Sequence, residues 1–311
     1  MKANVIAVLS RLALLVTAIV WGSSLVVVSA VKSAFTPNLL LALRFSIACI
    51  LLVIIFFPKL KLLNKDYVLS GLIIGFFLFI AYSSQTTGIV SAAGAPGRSG
   101  FISASYCVFV PFLSWLFTKE PPKWYNIAAA FLCIGGLFFV FYPVLVLDSN
   151  ASLSAGDLYA LLSGILFAIH IVAVAKWGKG KDPILITILP FFFAAIFSFL
   201  VALLFEKPDF SVVTKEALFA LAYLAVMCTA LALLFQTIGQ RYTPSGTAAL
   251  ILGTESVFSV IFAVIFTHEE LTVWSLIGFI LIFIAIIVSE THLSFLNFQH
   301  KKHSCDILTK K

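Results

Sequence analysis

Long apolar runs, each about the length of a bilayer-spanning helix, alternate with short polar breaks along this chain. A helix rises ~1.5 Å per residue, so about 20 apolar residues cross the hydrocarbon layer. On that scale the pattern predicts helices over Leu12–Val31, Pro37–Phe57, Tyr67–Gly88, Gly100–Phe117 and Tyr125–Tyr142. A second set covers Leu158–Ala175, Ile184–Phe205, Ala217–Phe235, Gly246–Phe266 and Thr272–Ser289, which makes ten. The breaks, such as "FPKLKLLNKD", "TKEPPK", "KWGKGKDP" and "THEELT", carry charges and turn formers. "GIVSAAGAPGRSG", from Gly88 to Gly100, is the hardest stretch to place. The first run follows Lys2 and Arg11 as a signal peptide would, but it exceeds the ~7–15 residues of a signal h-region and similar runs follow. It reads as a first membrane helix.

Composition strengthens this reading. The 311 residues are 62% hydrophobic and 11% charged, against about 25% charged in a soluble globule. The net charge of +7 would suit nucleic acid or an anionic surface, but the basic residues sit at the ends of apolar segments, so no nucleic-acid partner is expected. Lys and Arg favour cytoplasmic loops. With both termini cytoplasmic, that side holds Lys2, Arg11, Lys59, Lys61, Lys65, Lys119, Lys123, Lys176, Lys179, Lys181, Arg241, Lys301, Lys302, Lys310 and Lys311. The opposite side keeps Lys32, Arg98, Lys207 and Lys215. Cys49, Cys107, Cys133, Cys228 and Cys305 form no CxxC pair, and four lie in apolar runs, where a thiol is a small hydrophobe. Neither a metal nor a cofactor is expected.

The two halves of the chain resemble each other. One offset matches Trp21 to Phe167, Ser24 to His170, Pro37 to Pro183 and Arg44 to Pro190. Later, "QTTG" at Gln85 matches "QTIG" at Gln236, and "TKEP" at Glu120 matches "THEE" at Glu269. Tyr106 in the fourth helix falls where Glu255 falls in the ninth. Each half has an odd number of helices, so the halves run in opposite senses. The expected fold is all-α and polytopic, with ten transmembrane helices as two inverted five-helix repeats. The repeats span residues 1–146 and 147–292, followed by a basic cytoplasmic tail, 293–311. Inverted repeats characterise secondary transporters, with the substrate site near the midplane; duplication alone also fits a channel.

"LYALLSGILFAIHIVAV", "TALALLFQTIGQRYTPSGTAALILGTESVFSVIFAVIFTHEELT" and "SGFISASYCVFVPFLSWLFTKEPP" resemble the EamA family of the drug/metabolite transporter superfamily. "WGSSLVVVSAV" and "LLLALRFSIACILLV" are similar to the start of its first repeat, and the likeness runs from about Leu12 to Ser289. The resemblance implies ten helices in two inverted repeats and transport, often export, of amino acids, other metabolites or drugs. The family usually has Glu-Pro in the ninth helix; here Glu255 is followed by Ser256. A proline there kinks the helix, so its loss bears on how the carboxyl is presented.

An acid at a membrane helix centre costs roughly 2.5–3.5 kcal/mol on insertion scales, and such residues usually face the bundle interior and serve a function. Glu255 is therefore the leading candidate for proton coupling or substrate contact, against a purely packing hydrogen bond. Tyr106 would face it as an aromatic hydroxyl. His170 suits a proton relay or a substrate contact, or a hydrogen bond between helices. Trp21, Ser24 and Phe167 are candidate cavity walls, although aromatic packing is common in a chain with 32 phenylalanines. Gln85 and Gln236 read as symmetric gate or capping elements, and Arg44 as a snorkelling or structurally paired cation. Arg98 is expected as a solvated loop charge. Asn150-Ala151-Ser152 fits a glycosylation sequon only weakly.

"GRSG" at Gly97 superficially resembles an intramembrane serine protease motif, with Ser99 as nucleophile and His170 as base. Four residues are weak support, and the duplicated architecture does not fit that fold. No phosphate loop GxxxxGK[ST] occurs, so no ATP-driven pump is expected. The sequence thus favours a non-enzymatic secondary transporter of small amphipathic or zwitterionic solutes in the cell (inner) membrane. Protons are the candidate coupling ion, and the chain acts as monomer or homodimer. A channel or a non-transporting scaffold is the alternative.

Overall fold

The structure, a computed structural model, describes residues 2–90, 94–119, 121–142, 154–242 and 251–291. The start of the ninth helix at Gly246, the Asn150 sequon, Glu120 and the tail from 293 lie outside the described residues. In hydrocarbon a backbone must satisfy its own N–H and C=O groups, so the apolar runs fold as helices. They are α1 (Lys2–Ala30), α2 (Pro37–Ile55), α3 (Lys65–Val90), α4 (Pro96–Ala104), α5 (Tyr106–Thr118) and α6 (Trp124–Tyr142). The second half gives α7 (Ala155–Trp177), α8 (Leu185–Phe205), α9 (Lys215–Ala225), α10 (Ala232–Tyr242), α11 (Glu255–Thr267) and α12 (Val273–Thr291). α4 and α5 make one apolar span, Pro96–Leu116; α9 and α10 make another, Lys215–Gln236, joined through a π-helix over Val226–Leu231. Among the described residues there is no strand. Eight helical spans are long and apolar enough to cross a membrane, and Ile251–Thr267 and Val273–Val288 are shorter apolar helices.

Two bounds differ from expectation. α1 begins well before Leu12, because the preceding residues carry enough apolar side chains (Val5, Val8, Leu9) to extend it outward. α4 begins at Pro96 rather than Gly100. Proline is suited to a first helical position, where its missing N–H costs nothing, so "PGRS" forms a buried first turn.

The packing respects the two halves. α1 packs on α10 and α11, as α7 packs on α3, α4 and α5. α2 contacts α9 and the π-helix, as α8 contacts α3; α2 meets α8, α4 meets α11 and α6 meets α12. Exchanging the halves maps this set onto itself. Because lipid is as apolar as the helices, association rests on close packing. α3 crosses α8 at Gly75, where an added Cβ would lie 2.8 Å from the Pro190 carbonyl oxygen. Exposed apolar side chains such as Phe131, Leu203, Phe205 and Phe219 stay on the bundle's outside, where lipid rather than water would cover them.

Polar side chains tie the halves at the helix ends. Pro37 opens α2, and the carboxylate of Glu206, just past α8, accepts from Asn38 N (3.0 and 3.2 Å), Asn38 Nδ2 (2.8 Å) and Leu39 N (3.3 Å). Asn38 N and Leu39 N are backbone donors that a helix start leaves unpaired. At the other end of α2 and α8, Lys59 pairs with Asp182, and Lys181 with Asp66 at 2.8 Å. Burial works to raise the Asp182 carboxyl, but the Lys59 ammonium and the Ile184 and Leu185 N–H groups hold it, on balance, below the usual aspartate range. A lowered carboxyl contributes stability that is present above its ordinary value and lost as pH falls through the folded one. Asp182→Asn is therefore expected to cost about 0.2–1 kcal/mol at neutral pH. That difference should vanish in strong acid, as checked by melting midpoints in detergent.

Candidate functional site

Two apolar helices tighten for a single residue at equivalent points, each one residue before a candidate, with the backbone still in the right-handed helical region. In the first half Ser105 turns back on the Ile102 carbonyl through its N (3.2 Å) and Oγ (2.6 Å), and Val108 N donates to Ser105 O at 2.9 Å. In the second, Thr254 makes the same bonds to Ile251 O, 3.2 and 2.6 Å, and Val257 N donates to Thr254 O at 3.0 Å. Hydroxyls thus capture the carbonyls that a straight helix would use. Ser256, standing where the family usually has proline, is buried, and its Oγ donates to Gly253 O at 2.9 Å. The helix tightens without the proline. Tyr106 and Glu255 follow these tightened turns as the first residues of α5 and α11.

Around these two residues the bundle is aromatic. Tyr106 Oη donates a long hydrogen bond, 3.4 Å, to Glu255 Oε1. The Phe167 ring lies 6.4 Å from that of Tyr106 and meets Tyr82 edge-on at 5.0 Å. Tyr82 also meets Phe45 edge-on at 5.3 Å. Glu255 is partly accessible.

Arg44 joins this group. It is 3% exposed, so it reaches no headgroup layer; its guanidinium sits 5.2 Å from the Tyr82 ring centre and its Nε donates to Thr229 Oγ1 at 2.6 Å. Thr229 in turn donates to Leu224 O at 2.8 Å, one more residue back than an α-helix reaches, within the π-helix. π-bulges are frequent at functional sites. Among the described residues no ion pair joins Arg44 to Glu255. Arg44, on Tyr82, and Glu255, on Tyr106, thus sit at two points of one ring cluster linked through Phe167.

The remaining candidates are placed as follows. His170 sits three residues after Phe167 on α7, on the same helix face, partly accessible and without a hydrogen bond among the described residues. Trp21 Nε1 donates to Cys228 O at 3.0 Å, tying α1 to the π-helix, and Ser24 Oγ turns back to Trp21 O at 2.7 Å. Gln85 Nε2 donates to Ser103 Oγ at 3.1 Å, while Gln236 is half-buried on α10. Ser99 Oγ is buried without a partner, so no serine–histidine dyad is formed. Arg98 pairs with Asp157 rather than standing in solvent. Tyr82, Phe45 and Thr229 were not anticipated. Tyr82 stands three residues before Gln85 on the same helix, which is the one cue the sequence offers.

A lateral crevice of about 940 Å³ opens between α1, α9 and α11, lined by Ser23, Val27, Lys32, Phe219 and Tyr223 among others. Ser23 Oγ and Tyr223 Oη share a hydrogen bond of 2.8 Å in its wall. Neither Glu255 nor Tyr106 lines it.

Residues 9–142 and 154–291 each match the model of the EamA-like transporter family. An uncharacterized transporter of Archaeoglobus fulgidus is 29% identical over 277 residues, 89% of this chain and 84% of that protein. A solved structure, titled only as the crystal structure of a protein, superposes with a TM-score of 0.63 over 92% of this chain and 98% of its own, at 17% identity. That likeness concerns the fold alone.

Proposed function

We propose that this chain, which belongs to the EamA-like transporter family, is a secondary transporter moving small zwitterionic or amphipathic aromatic solutes by alternating access, with export as its direction. The observation that carries the substrate class is the unpaired Arg44 and Glu255 on that ring cluster. Arg44 keeps its Nη groups and Glu255 its Oε2 without partners among the described residues. A guanidinium suits a carboxylate, a carboxylate suits an ammonium, and Phe167, Tyr106 and Phe45 suit an apolar side chain.

Ten spans in two inverted repeats complete the reading, supported by the shorter apolar helices α11 and α12 and by packing that survives exchange of the halves. The tightened turns at Ser105 and Thr254 add an irregularity at equivalent positions of the two halves. The Lys/Arg distribution supports cytoplasmic termini, which puts the starts of α2, α4 and α7 on the outer face. Glu255 is the proposed proton carrier or ammonium contact, and His170 its neighbour on the cavity wall. Trp21, through the Cys228 carbonyl, holds the π-helix against α1.

The test is counterflow. Proteoliposomes loaded with neutral amino acids should accumulate the labelled solute against its gradient. Exchange with no member of a neutral, aromatic, cationic and anionic panel would overturn the transporter reading, and flux without exchange stimulation would favour a channel.

A further inference from the structure

Four helix ends converge at one end of the bundle. α4 starts at Pro96, and Glu269, beyond α11, accepts from Gly97 N (2.8 Å) and Arg98 N (2.9 Å). α7 starts at Ala155 with Ser154 as its cap, which places Asp157 in the first turn, 1% exposed. Arg98 Nη2 lies 2.6 Å from Asp157 Oδ2. Beside this pair the backbones touch. Gly94 N donates to Gly88 O at 2.9 Å, and an added Cβ on Gly156 would sit 2.5 Å from Gly94 Cα. Gly88, Gly94 and Arg98 belong to the first half, and Gly156, Asp157 and Glu269 to the second. This end is shut by contacts between the halves.

The closure is electrostatically incomplete. Arg98 Nε, Asp157 Oδ1 and Ser99 Oγ are buried without a hydrogen-bond partner. Buried polar atoms left unsatisfied favour any state in which water reaches them, so parting these helices would return three hydrogen-bonding groups to solvent and offset the lost pair. The neighbouring contact between halves behaves differently. There Glu206 is filled by Asn38 and Leu39, and Asn38 Oδ1 accepts from Ser83 Oγ at 2.8 Å. The Glu206 and Asn38 side chains have less to gain from opening, although Thr36 Oγ1 at the start of α2 is also buried without a partner. The two ends of the molecule also differ. The offset that pairs Trp21 with Phe167 pairs Asp157 with Arg11, which is exposed and makes no ion pair among the described residues.

We propose that Arg98 and Asp157, with Glu269 bracing the Arg98 backbone, form the latch of the outer gate, which parts in each cycle while the Glu206–Asn38 contact stays closed as the pivot. The latch rests on the alternating-access reading and its orientation. It assigns Arg98 and Asp157 as gating residues that never touch the solute.

Two arms test it. In the first, Phe167→Cys reports on the proposed solute site through a membrane-impermeant thiol reagent added outside, read against the parent chain. Adding Asp157→Asn, or Arg98→Lys as a milder variant, should raise the labelling rate about tenfold. In the second, Arg98→Cys with Asp157→Cys is bridged by a short reducible bifunctional thiol reagent. Counterflow should stop when bridged and return on reduction. Unchanged labelling in both variants, or counterflow that persists when bridged, would overturn the latch. A chain that exchanges no solute in any state would instead refute transport, and the labelling arm would still judge the latch.

Discussion

Glu255→Gln is expected to abolish solute accumulation driven by a pH gradient and to reduce counterflow of zwitterionic solutes. Glutamine keeps the size of the side chain and can still accept from Tyr106 Oη, now at 3.4 Å. It can neither carry a proton nor oppose an ammonium. Losing a charge-assisted contact in a dry site costs about 2–4 kcal/mol, roughly 30- to 1,000-fold in transport efficiency. The fold should survive, because an acid inside a membrane is expensive to keep; an unchanged melting midpoint would separate lost function from lost structure. Glu255→Asp, shorter by one methylene, should retain part of the activity. Full gradient-driven transport in Glu255→Gln would remove Glu255 from both roles.

Much of the fold was legible because hydrocarbon admits few backbone solutions. Runs of adequate length gave the spans, and the offset between halves placed Tyr106 opposite Glu255. The tightened turns were harder. Ser105 and Thr254 are single hydroxyls, and many serines and threonines in this chain turn back on their own helix without tightening it, as Thr17 does on Ala13 O. Arg44 illustrates a different limit. Its position along α2 gave its depth, but α2 is apolar on every side, so no hydrophobic stripe told which way the guanidinium points. The π-helix that receives it depends on Thr229 reaching the Leu224 carbonyl, which the sequence does not signal. Arg98 read as a loop charge because "APGRSG" looks like a turn; a proline at the first helical position produces the same letters.

The site and the latch divide the polar residues by completeness. Around Glu206 the carboxylate is filled by hydrogen bonds across the halves. Where charges keep unused capacity, as at Arg44, Glu255, Arg98 and Asp157, something is left to bind or to move. In a bilayer such capacity is costly, and it is not confined to these charged residues, because Thr36 Oγ1 and Ser198 Oγ are buried without partners as well.

Gly278→Leu is expected to have the largest effect on folding. α6 and α12 pack directly through Gly136 and Gly278, and the clash is with backbone from both sides. An added Cβ on Gly278 would lie 2.6 Å from Gly136 O and 2.9 Å from Val140 N; one on Gly136 would lie 2.8 Å from Gly278 O and 3.0 Å from Ile282 N. No rotamer relieves a Cβ, so the helices must separate, and every van der Waals contact along the seam weakens together. Lipid supplies no hydrophobic force to restore them. The cost should lie at or above the top of the ~1–3 kcal/mol range for overpacking, enough to shift the protein from a monodisperse peak to aggregate in detergent. Gly135→Leu is the internal control. An added Cβ there meets nothing within 4 Å, and leucine's better helix propensity should leave stability equal or higher by up to about 1 kcal/mol. Size-exclusion profiles and melting midpoints of the two variants compare a glycine in the α6–α12 seam with one on α6 that faces away from it. Equal behaviour in Gly278→Leu and Gly135→Leu would mean that α6 and α12 do not meet at these glycines.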